Sequence, residues 1–177
     1  MRLLLLLLLA SCSAPPPPVA PPTPPAEIRL PIDRFRRVAD GVYRSAQPDS
    51  DHLRALKEAG FRTILNLRSA HSERAEAEAL GMRVVEIPMK ADANPPSDDD
   101  VRRFFEVVLD PGARPVLIHC AVGRDRTGAM SALYRIEVDG WTNERAVTEM
   151  IDLGFNPKYV KLLEFVRDYR PRGFRPK

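Results

Sequence analysis

The stretch that decides the fold is PVLIHCAVGRDRTG, residues 115–128. Its apolar part, residues 116–118, is β-branched at both ends and predicts a short buried strand. A polar loop containing Gly123 follows, and a helical pattern begins at Arg126. A strand, a tight loop and a helix N-terminus form a cradle for an anion. The loop N–H groups point inward, and the helix dipole adds positive charge.

Two side chains make this cradle reactive. Cys120 lies at its entrance and Arg126 at its far end, with residues 121–125 between them. A thiol that faces N–H groups, a helix N-terminus and a guanidinium ionises easily. A guanidinium can hold two phosphate oxygens at once. The pair therefore predicts nucleophilic displacement at phosphorus.

The order His-Cys, five residues, Arg-Thr resembles the signature loop of the cysteine-based protein tyrosine and dual-specificity phosphatases. The resemblance implies that Cys120 is the nucleophile and Arg126 the phosphate clamp. It implies that Thr127 assists catalysis by bonding the sulfur, and that His119 supports the loop through backbone contacts. The amides expected to bind the phosphate belong to Ala121, Val122, Gly123, Arg124, Asp125 and Arg126. The alternative is a buried structural cysteine at a strand end.

The protonation of the leaving group requires an acid, and two carboxylates compete for this role. Asp92 lies in a loop that resembles the acid-bearing loop of secreted bacterial dual-specificity phosphatases. Asp125 directly precedes Arg126, and some lipid phosphatases of the superfamily have an acid there. A plainer interpretation of Asp125 is an ion pair that steadies the loop. Lys90 and Arg124 are charged neighbours that we expect to be solvated, or to contact extra phosphates.

Strands alternate with helices along the chain, which predicts an α/β three-layer sandwich. Its central, mostly parallel sheet should have about four to five strands, and the resemblance implies a protein-tyrosine-phosphatase-like fold. The predicted strands are a pair within residues 38–45, then 63–67, 82–87 and 116–118. The ends of the last three strands should meet at one rim, where ligands of such sheets bind.

Local signals also predict the element boundaries. Ser50, Ser97 and Thr142 are expected to cap helices, and Asn156 with the following proline to begin the last one. Pro88 is expected to end the strand before it.

The segment of residues 42–48 resembles the opening of small bacterial and plant–fungal phosphatases of the superfamily. Within it, Tyr43 is expected in the core. Arg44 is expected to be solvated or in a structural ion pair, and the alternative is a position near the phosphate pocket.

The composition sets limits on function. The chain has 177 residues, 44% hydrophobic, and a net charge of +3, too small and scattered to predict nucleic-acid binding. No Cys/His cluster has metal-ligand spacing, and the chemistry proposed needs no metal or other cofactor. A disulfide between Cys12 and Cys120 would abolish the nucleophile, so none is expected.

The N-terminal segment predicts export. Arg2 and the leucines at residues 3–9 are typical of a signal peptide, and the motif ending at Cys12 resembles the bacterial lipoprotein cleavage box. That resemblance implies a lipid anchor on Cys12, periplasmic location and outer-membrane delivery. The alternative is an ordinary cleaved signal. We expect a signal at 1–11, a lipidated, proline-rich tether at 12–30, a phosphatase domain at 31–170 and a solvated basic tail at 171–177.

The resemblance, which extends over residues 38–167, implies a protein tyrosine or dual-specificity phosphatase that forms a phosphocysteine intermediate. A phosphatase for inositol phosphates is the alternative, and a phosphate-binding module without turnover is the second one. The expected partners are a phosphorylated protein or a small polyanion, together with the membrane through the lipid. We expect a monomer.

Overall fold

The computed structural model describes residues 28–90 and 94–175. Within these residues, five strands form one sheet in the order β1-β2-β5-β3-β4. Of these strands, β1 and β2 pair antiparallel; β5 pairs in parallel with β2 and β3, and β3 pairs in parallel with β4. The prediction of a mostly parallel sheet is confirmed. The strands are β1 Arg36–Ala39, β2 Val42–Ser45, β3 Thr63–Arg68, β4 Arg83–Met89 and β5 Val116–His119.

Helices cover the sheet on both faces. They are α1 Ser50–Glu58, α2 Arg74–Ala79, α3 Asp98–Val108, α4 Asp125–Glu137, α5 Asn143–Asp152 and α6 Val160–Arg167, with a short 3-10 turn at Pro111–Ala113. Residues of α1 and α2 pack in a smaller core, and residues of α3 to α6 pack in a larger one on the other face. Among the described helices, none is long and apolar enough to cross a bilayer.

The middle strand, β5, contributes to both cores. Val116 and Ile118 belong to the larger core, whereas Leu117 belongs to the smaller one, and all three side chains are fully buried. Successive side chains of a strand point to opposite faces, so a strand covered on both faces must be apolar throughout. This explains why the run that precedes the cysteine is continuous rather than alternating. Tyr43 lies in the smaller core, as predicted.

Two predicted helix starts are wrong, although the capping prediction is correct for Ser97 and Thr142. Asp49, not Ser50, caps α1, because its carboxylate accepts from the His52 N–H at 2.9 Å. The last helix begins at Val160 instead of Asn156. The Asn156 N–H donates to Asp125 Oδ1 in α4, and the Asn156 side-chain oxygen accepts from the Lys158 N–H. Asn156 therefore forms a turn.

Strand β4 continues through Pro88 instead of ending before it. This strand lies at the edge of the sheet, and its register with β3 shifts between Asn66 and Arg68. Proline lacks the N–H that a ladder requires, but an edge strand with a bulge does not need that donor. The tertiary position of the strand therefore makes the proline acceptable.

The basic tail was expected to be solvated; Arg172 and Arg175 are exposed, but the backbone of the described part of the tail is bonded to the domain. The buried carboxylate of Glu137 accepts from the backbone N–H groups of Arg172 and Phe174, each at 2.8 Å. The Tyr169 hydroxyl donates to the same carboxylate, and the Phe174 ring stacks on that of Phe105 at 4.8 Å. A buried carboxylate needs several donors, and the tail supplies them.

Candidate active site

The loop of residues 120–126 runs from the end of β5 into the first turn of α4 and curves around the Cys120 sulfur. The Cys120 side chain is 2% exposed, and the Gly123 N–H donates to its sulfur at 3.3 Å. Gly123 has φ +72°, and a Cβ at this position would lie 2.5 Å from the Ser45 carbonyl oxygen. The tight, glycine-dependent turn predicted here is thus present. We call the side of the loop that faces the sulfur its inner side and the opposite side its outer side.

The surroundings of the thiol favour its ionised form. Burial by itself would raise the pKa of Cys120, but interactions with the hydroxyl and backbone N–H of Thr127 lower that pKa below its ordinary value. The charge of Arg126 and the Gly123 N–H act in the same direction. Thr127 Oγ1 is buried and makes no hydrogen bond of ordinary geometry within the described residues. Its hydroxyl therefore remains available to the sulfur.

Arg126 is anchored at the ends of two other strands. Its Nη1 donates to the Leu67 carbonyl oxygen at 3.4 Å and to that of Met89 at 3.1 Å. The predicted convergence of strand ends on one rim is confirmed by these two contacts. Nε and Nη2, the atoms of a bidentate fork, have no partner among the described residues, so this edge of the guanidinium can receive an anion.

A buried network supports the strand end before the cysteine. His119 is completely buried, and its Nε2 lies 2.8 Å from Glu73 Oε1, whereas its Nδ1 is 3.4 Å from the Cys120 carbonyl oxygen. The other Glu73 oxygen accepts from Gln47 Nε2 at 3.2 Å and from Asn66 Nδ2 at 3.1 Å. Burial would raise the pKa of Glu73, but its bonds to His119 and Gln47 hold it below the usual value. The backbone contact expected for His119 is present, but at 3.4 Å it is longer than the 2.8 Å side-chain bond to Glu73.

The sequence did not predict Glu73, since a glutamate directly before a helix rich in Ala and Glu carries no distinguishing signal. Arg44 is neither solvated nor ion-paired within the described residues; it lies against the loop, as in the alternative interpretation. It is 3% exposed, and its Nη2 donates to the Gly123 carbonyl oxygen at 2.7 Å, on the outer side of the loop. Burial lowers the pKa of Arg44 to about 10, which still leaves the guanidinium charged at neutral pH. Arg34 Nη1 reaches the next carbonyl, Val122 O, at 3.4 Å.

The two candidate acids lie in different segments of the chain. Asp92 lies outside the described residues, as do Cys12 and the whole signal and proline-rich segment before residue 28. Asp125 Oδ1 accepts from the Asn156 N–H at 2.8 Å, which links the start of α4 to the segment after α5. Its partner is therefore a backbone amide rather than the cation that an ion pair requires.

The site combines a thiol with a lowered pKa, an arginine fork and inward N–H groups. This arrangement can bind a tetrahedral oxyanion and attack it. Within residues 28–90 and 94–175, no group of three or more His, Cys, Asp or Glu side chains is arranged to hold a metal ion.

The chain is similar to known phosphatases over most of its described length. Residues 36–168 match the family model described as "DSP-PTPase phosphatase fused to NAD+ Kinase". The dual specificity protein phosphatase TpbA of Pseudomonas aeruginosa (strain UCBPP-PA14) is 33% identical over 120 residues, 67% of this chain and 54% of that protein. Inositol diphosphatase DSP1 of Oryza sativa subsp. japonica is 33% identical over 112 residues, 60% of this chain and 50% of that protein. The chain thus spans about half the length of these curated relatives.

Among solved structures, the crystal structure of P. aeruginosa TpbA superposes with a TM-score of 0.69 at 28% identity. The superposition covers 84% of this chain and 92% of that one.

Proposed function

The chain belongs to the DSP-PTPase family of cysteine-based phosphatases, and we propose that it hydrolyses phosphate monoesters as a protein tyrosine or dual-specificity phosphatase. The observation that carries this proposal is the inner side of the loop. There a buried thiol with a lowered pKa lies beside an arginine whose fork is open. The similarity to a dual-specificity phosphatase over two thirds of the chain supports the same activity.

In the first step the Cys120 thiolate attacks phosphorus, and an S–P bond forms as the ester P–O bond breaks. Arg126 and the loop N–H groups hold the non-bridging oxygens, where negative charge is concentrated. The leaving oxygen takes a proton from a carboxylic acid, for which we propose Asp92. Asp125 is the alternative donor, but its bond to the Asn156 N–H favours a supporting role.

In the second step a water molecule attacks phosphorus, and the S–P bond breaks. The carboxylate that lost its proton in the first step accepts one from the water, so inorganic phosphate leaves and the acid is restored. The sulfur departs as a thiolate, and the Thr127 hydroxyl, which has no other ordinary partner among the described residues, stabilises that charge.

A second candidate function is the hydrolysis of inositol polyphosphates. The similarity to a rice inositol diphosphatase, at the same identity as to TpbA but over slightly fewer residues, favours it. The two functions share the inner side of the loop and differ in the substrate that surrounds the phosphate. A panel that compares phosphotyrosine, phosphoserine and phosphothreonine peptides with inositol phosphates distinguishes them by kcat/KM.

The test of the chemistry itself is an assay with a generic aryl phosphate. We expect turnover that vanadate inhibits, and a phosphorylated Cys120 peptide after acid quenching during turnover. Binding of phosphate without turnover, in folded protein that remains reduced, would instead identify a phosphate-binding module.

We also propose that the chain is exported and anchored to the outer membrane by a lipid on Cys12. The support is the sequence alone: Arg2 with its leucine run, the lipoprotein-like motif and the proline-rich spacer. Mass spectrometry of the mature N-terminus tests this, since an unmodified start downstream of Cys12 would contradict the anchor.

A further inference from the structure

A second basic site lies at the outer side of the loop, separate from the thiol. It is a cavity of about 400 Å³ whose lining includes Arg34, Arg36, Arg44 and Arg124. Asp152 is the one carboxylate among its lining residues. Four guanidinium groups around one carboxylate produce a strong local excess of positive charge.

The backbone of the loop shows which side this cavity occupies. The Gly123 N–H donates to the Cys120 sulfur, whereas the Gly123 carbonyl oxygen accepts from Arg44 on the opposite side. Arg34 likewise bonds the Val122 carbonyl oxygen. The cavity that Arg34 and Arg44 line is therefore next to the loop carbonyls and behind the cradle in which the substrate phosphate would lie.

None of the four arginines forms an ion pair within the part of the chain that the structure describes. Arg34 and Arg44 are bonded to loop carbonyls, whereas the side chains of Arg36 and Arg124 make no hydrogen bond there, and Arg124 Nε is buried without a partner. The next carboxylate along the wall, Glu149, is paired with Arg135 at 2.9 Å in the neighbouring cavity. A buried donor without a partner is costly, and an anion in the cavity would satisfy it.

The backbone at the edge of the cavity is also unusual. Arg34 has φ +56°, in the left-handed region that side chains other than Asn and Asp seldom adopt. Such a conformation persists only where its surroundings hold it, and it is concentrated at ligand clamps and similar sites. The strained residue is the one whose side chain lines the cavity and bonds the Val122 carbonyl.

We propose that this outer cavity binds a phosphate-type anion, which bridges Arg36 and Arg124 and fixes the loop from its outer side. The anion would reduce the repulsion among the four guanidinium groups. Arg34 and Arg44 would then remain free to hold the loop carbonyls. The ligand is either free phosphate or a phosphate group on a small molecule. This proposal does not rest on turnover, because it concerns a site on the other side of the loop.

The test is calorimetric titration of the full chain with inorganic phosphate and, separately, with pyrophosphate at low ionic strength. The inner cradle is first disabled with the Arg126→Met variant. Should that variant not fold, as judged by circular dichroism, wild-type protein carboxymethylated at Cys120 takes its place. We expect one phosphate or one pyrophosphate to bind per chain, both in the Arg126→Met variant and in the carboxymethylated protein. The probe that binds more tightly identifies the source of the phosphate group.

Arg36→Gln, added to the disabled background, should weaken this binding about tenfold or more, since a charged hydrogen bond is removed. Arg37→Gln is the matched control, because it removes the same charge from the next residue of β1, which pairs with Asp40 and does not line the cavity. The affinity of the Arg37→Gln protein for the anion should stay within about twofold of that of the disabled background. The absence of binding in the disabled protein, or an equal loss in Arg37→Gln, would overturn the proposal.

Discussion

The inner and outer sides of the loop at residues 120–126 are made of the same peptide units but have opposite polarity. The inner side presents N–H groups to the Cys120 sulfur, and Arg126 supplies its charge. The outer side presents carbonyl oxygens, which accept from Arg34 and Arg44. On the inner side Arg126 leaves its fork open for substrate, whereas on the outer side Arg34 and Arg44 are bonded to the loop itself. The position of a guanidinium relative to the loop, not its chemistry, thus determines what it does.

This comparison separates activity from stability. On the inner side the groups needed for phosphate binding make few bonds within the described protein, so their loss should remove activity and change stability little. On the outer side the groups make buried bonds that set the shape of the loop. Their loss should therefore lower both stability and activity.

The largest expected effect is on the inner side. Cys120→Ser should lower kcat with an aryl phosphate by roughly 10⁴-fold or more, because a serine hydroxyl at this position has no base to activate it. At a pH below the folded pKa of Cys120, the midpoint of urea unfolding should change little, since the two side chains are similar in size and neither is charged. A variant that retained more than about a hundredth of the activity would contradict a phosphocysteine intermediate.

The next effect is on the acid that completes the inner-side chemistry. Asp92→Asn should lower kcat by about 10²- to 10³-fold for a substrate with a poor leaving group and much less for one with a good leaving group. Asp125→Asn is the matched comparison, and its loss should be similar for both substrates if Asp125 only supports the loop. If the dependence on leaving group disappears in Asp125→Asn instead, then Asp125 is the acid.

What the sequence could predict follows the same division. The inner side comes from one continuous segment, residues 115–128. The spacing of Cys120 and Arg126, taken with the neighbouring motif residues and the apolar strand before them, was therefore enough to predict it. The outer side is assembled from distant segments, because Arg44 lies 79 residues from the carbonyl that it bonds. Glu73 lies 46 residues from His119. Local periodicity cannot reveal such pairs, because they form only when the sheet brings the segments together.

The fold shows the same limit at element ends. Hydrophobic patterns were sufficient to predict the strands and helices and their order. The predictions that β4 ends before Pro88 and that the last helix begins at Asn156 were wrong, because tertiary contacts determine both boundaries. An edge bulge accommodates the proline, and a bond between the Asn156 N–H and Asp125 keeps that residue in a turn.

A third prediction concerns the residue that the two sides share. Gly123→Ala would place a Cβ 2.5 Å from the Ser45 carbonyl oxygen at a backbone with φ +72°. We expect a loss of unfolding free energy of at least about 2 kcal/mol and a fall in kcat of about tenfold or more, because the loop must move. Gly140→Ala is the control, since its φ is +67° but no atom lies within 4 Å of the added carbon. Its loss should be about 1 kcal/mol, with activity unchanged.

On the outer side, Arg44→Met should lower the unfolding free energy and kcat together. It leaves the Gly123 carbonyl oxygen without its donor, which should cost about 2–3 kcal/mol in urea unfolding and several-fold in kcat. Arg37→Met, which removes an exposed charge from the neighbouring strand, should change stability by less than about 0.5 kcal/mol. If Arg44→Met lowered activity while leaving stability intact, the two sides of the loop would not differ as proposed.

The smallest expected effect is a pH dependence of stability that belongs to the inner side alone. The fold lowers the pKa of Cys120 below its unfolded value, so it favours the thiolate. This stabilisation is complete above the unfolded pKa of about 8.5 and is lost as the pH falls through the folded pKa. The difference in unfolding free energy between wild type and Cys120→Ser should therefore grow as the pH rises between those two values. This difference in unfolding free energy should increase by about 1.4 kcal/mol for each pH unit between the folded and unfolded pKa values. Urea unfolding at a series of pH values under reducing conditions measures it, and Arg37→Met compared with wild type should show no matching slope. A difference that stayed flat or shrank with rising pH would mean that the loop does not stabilise the thiolate.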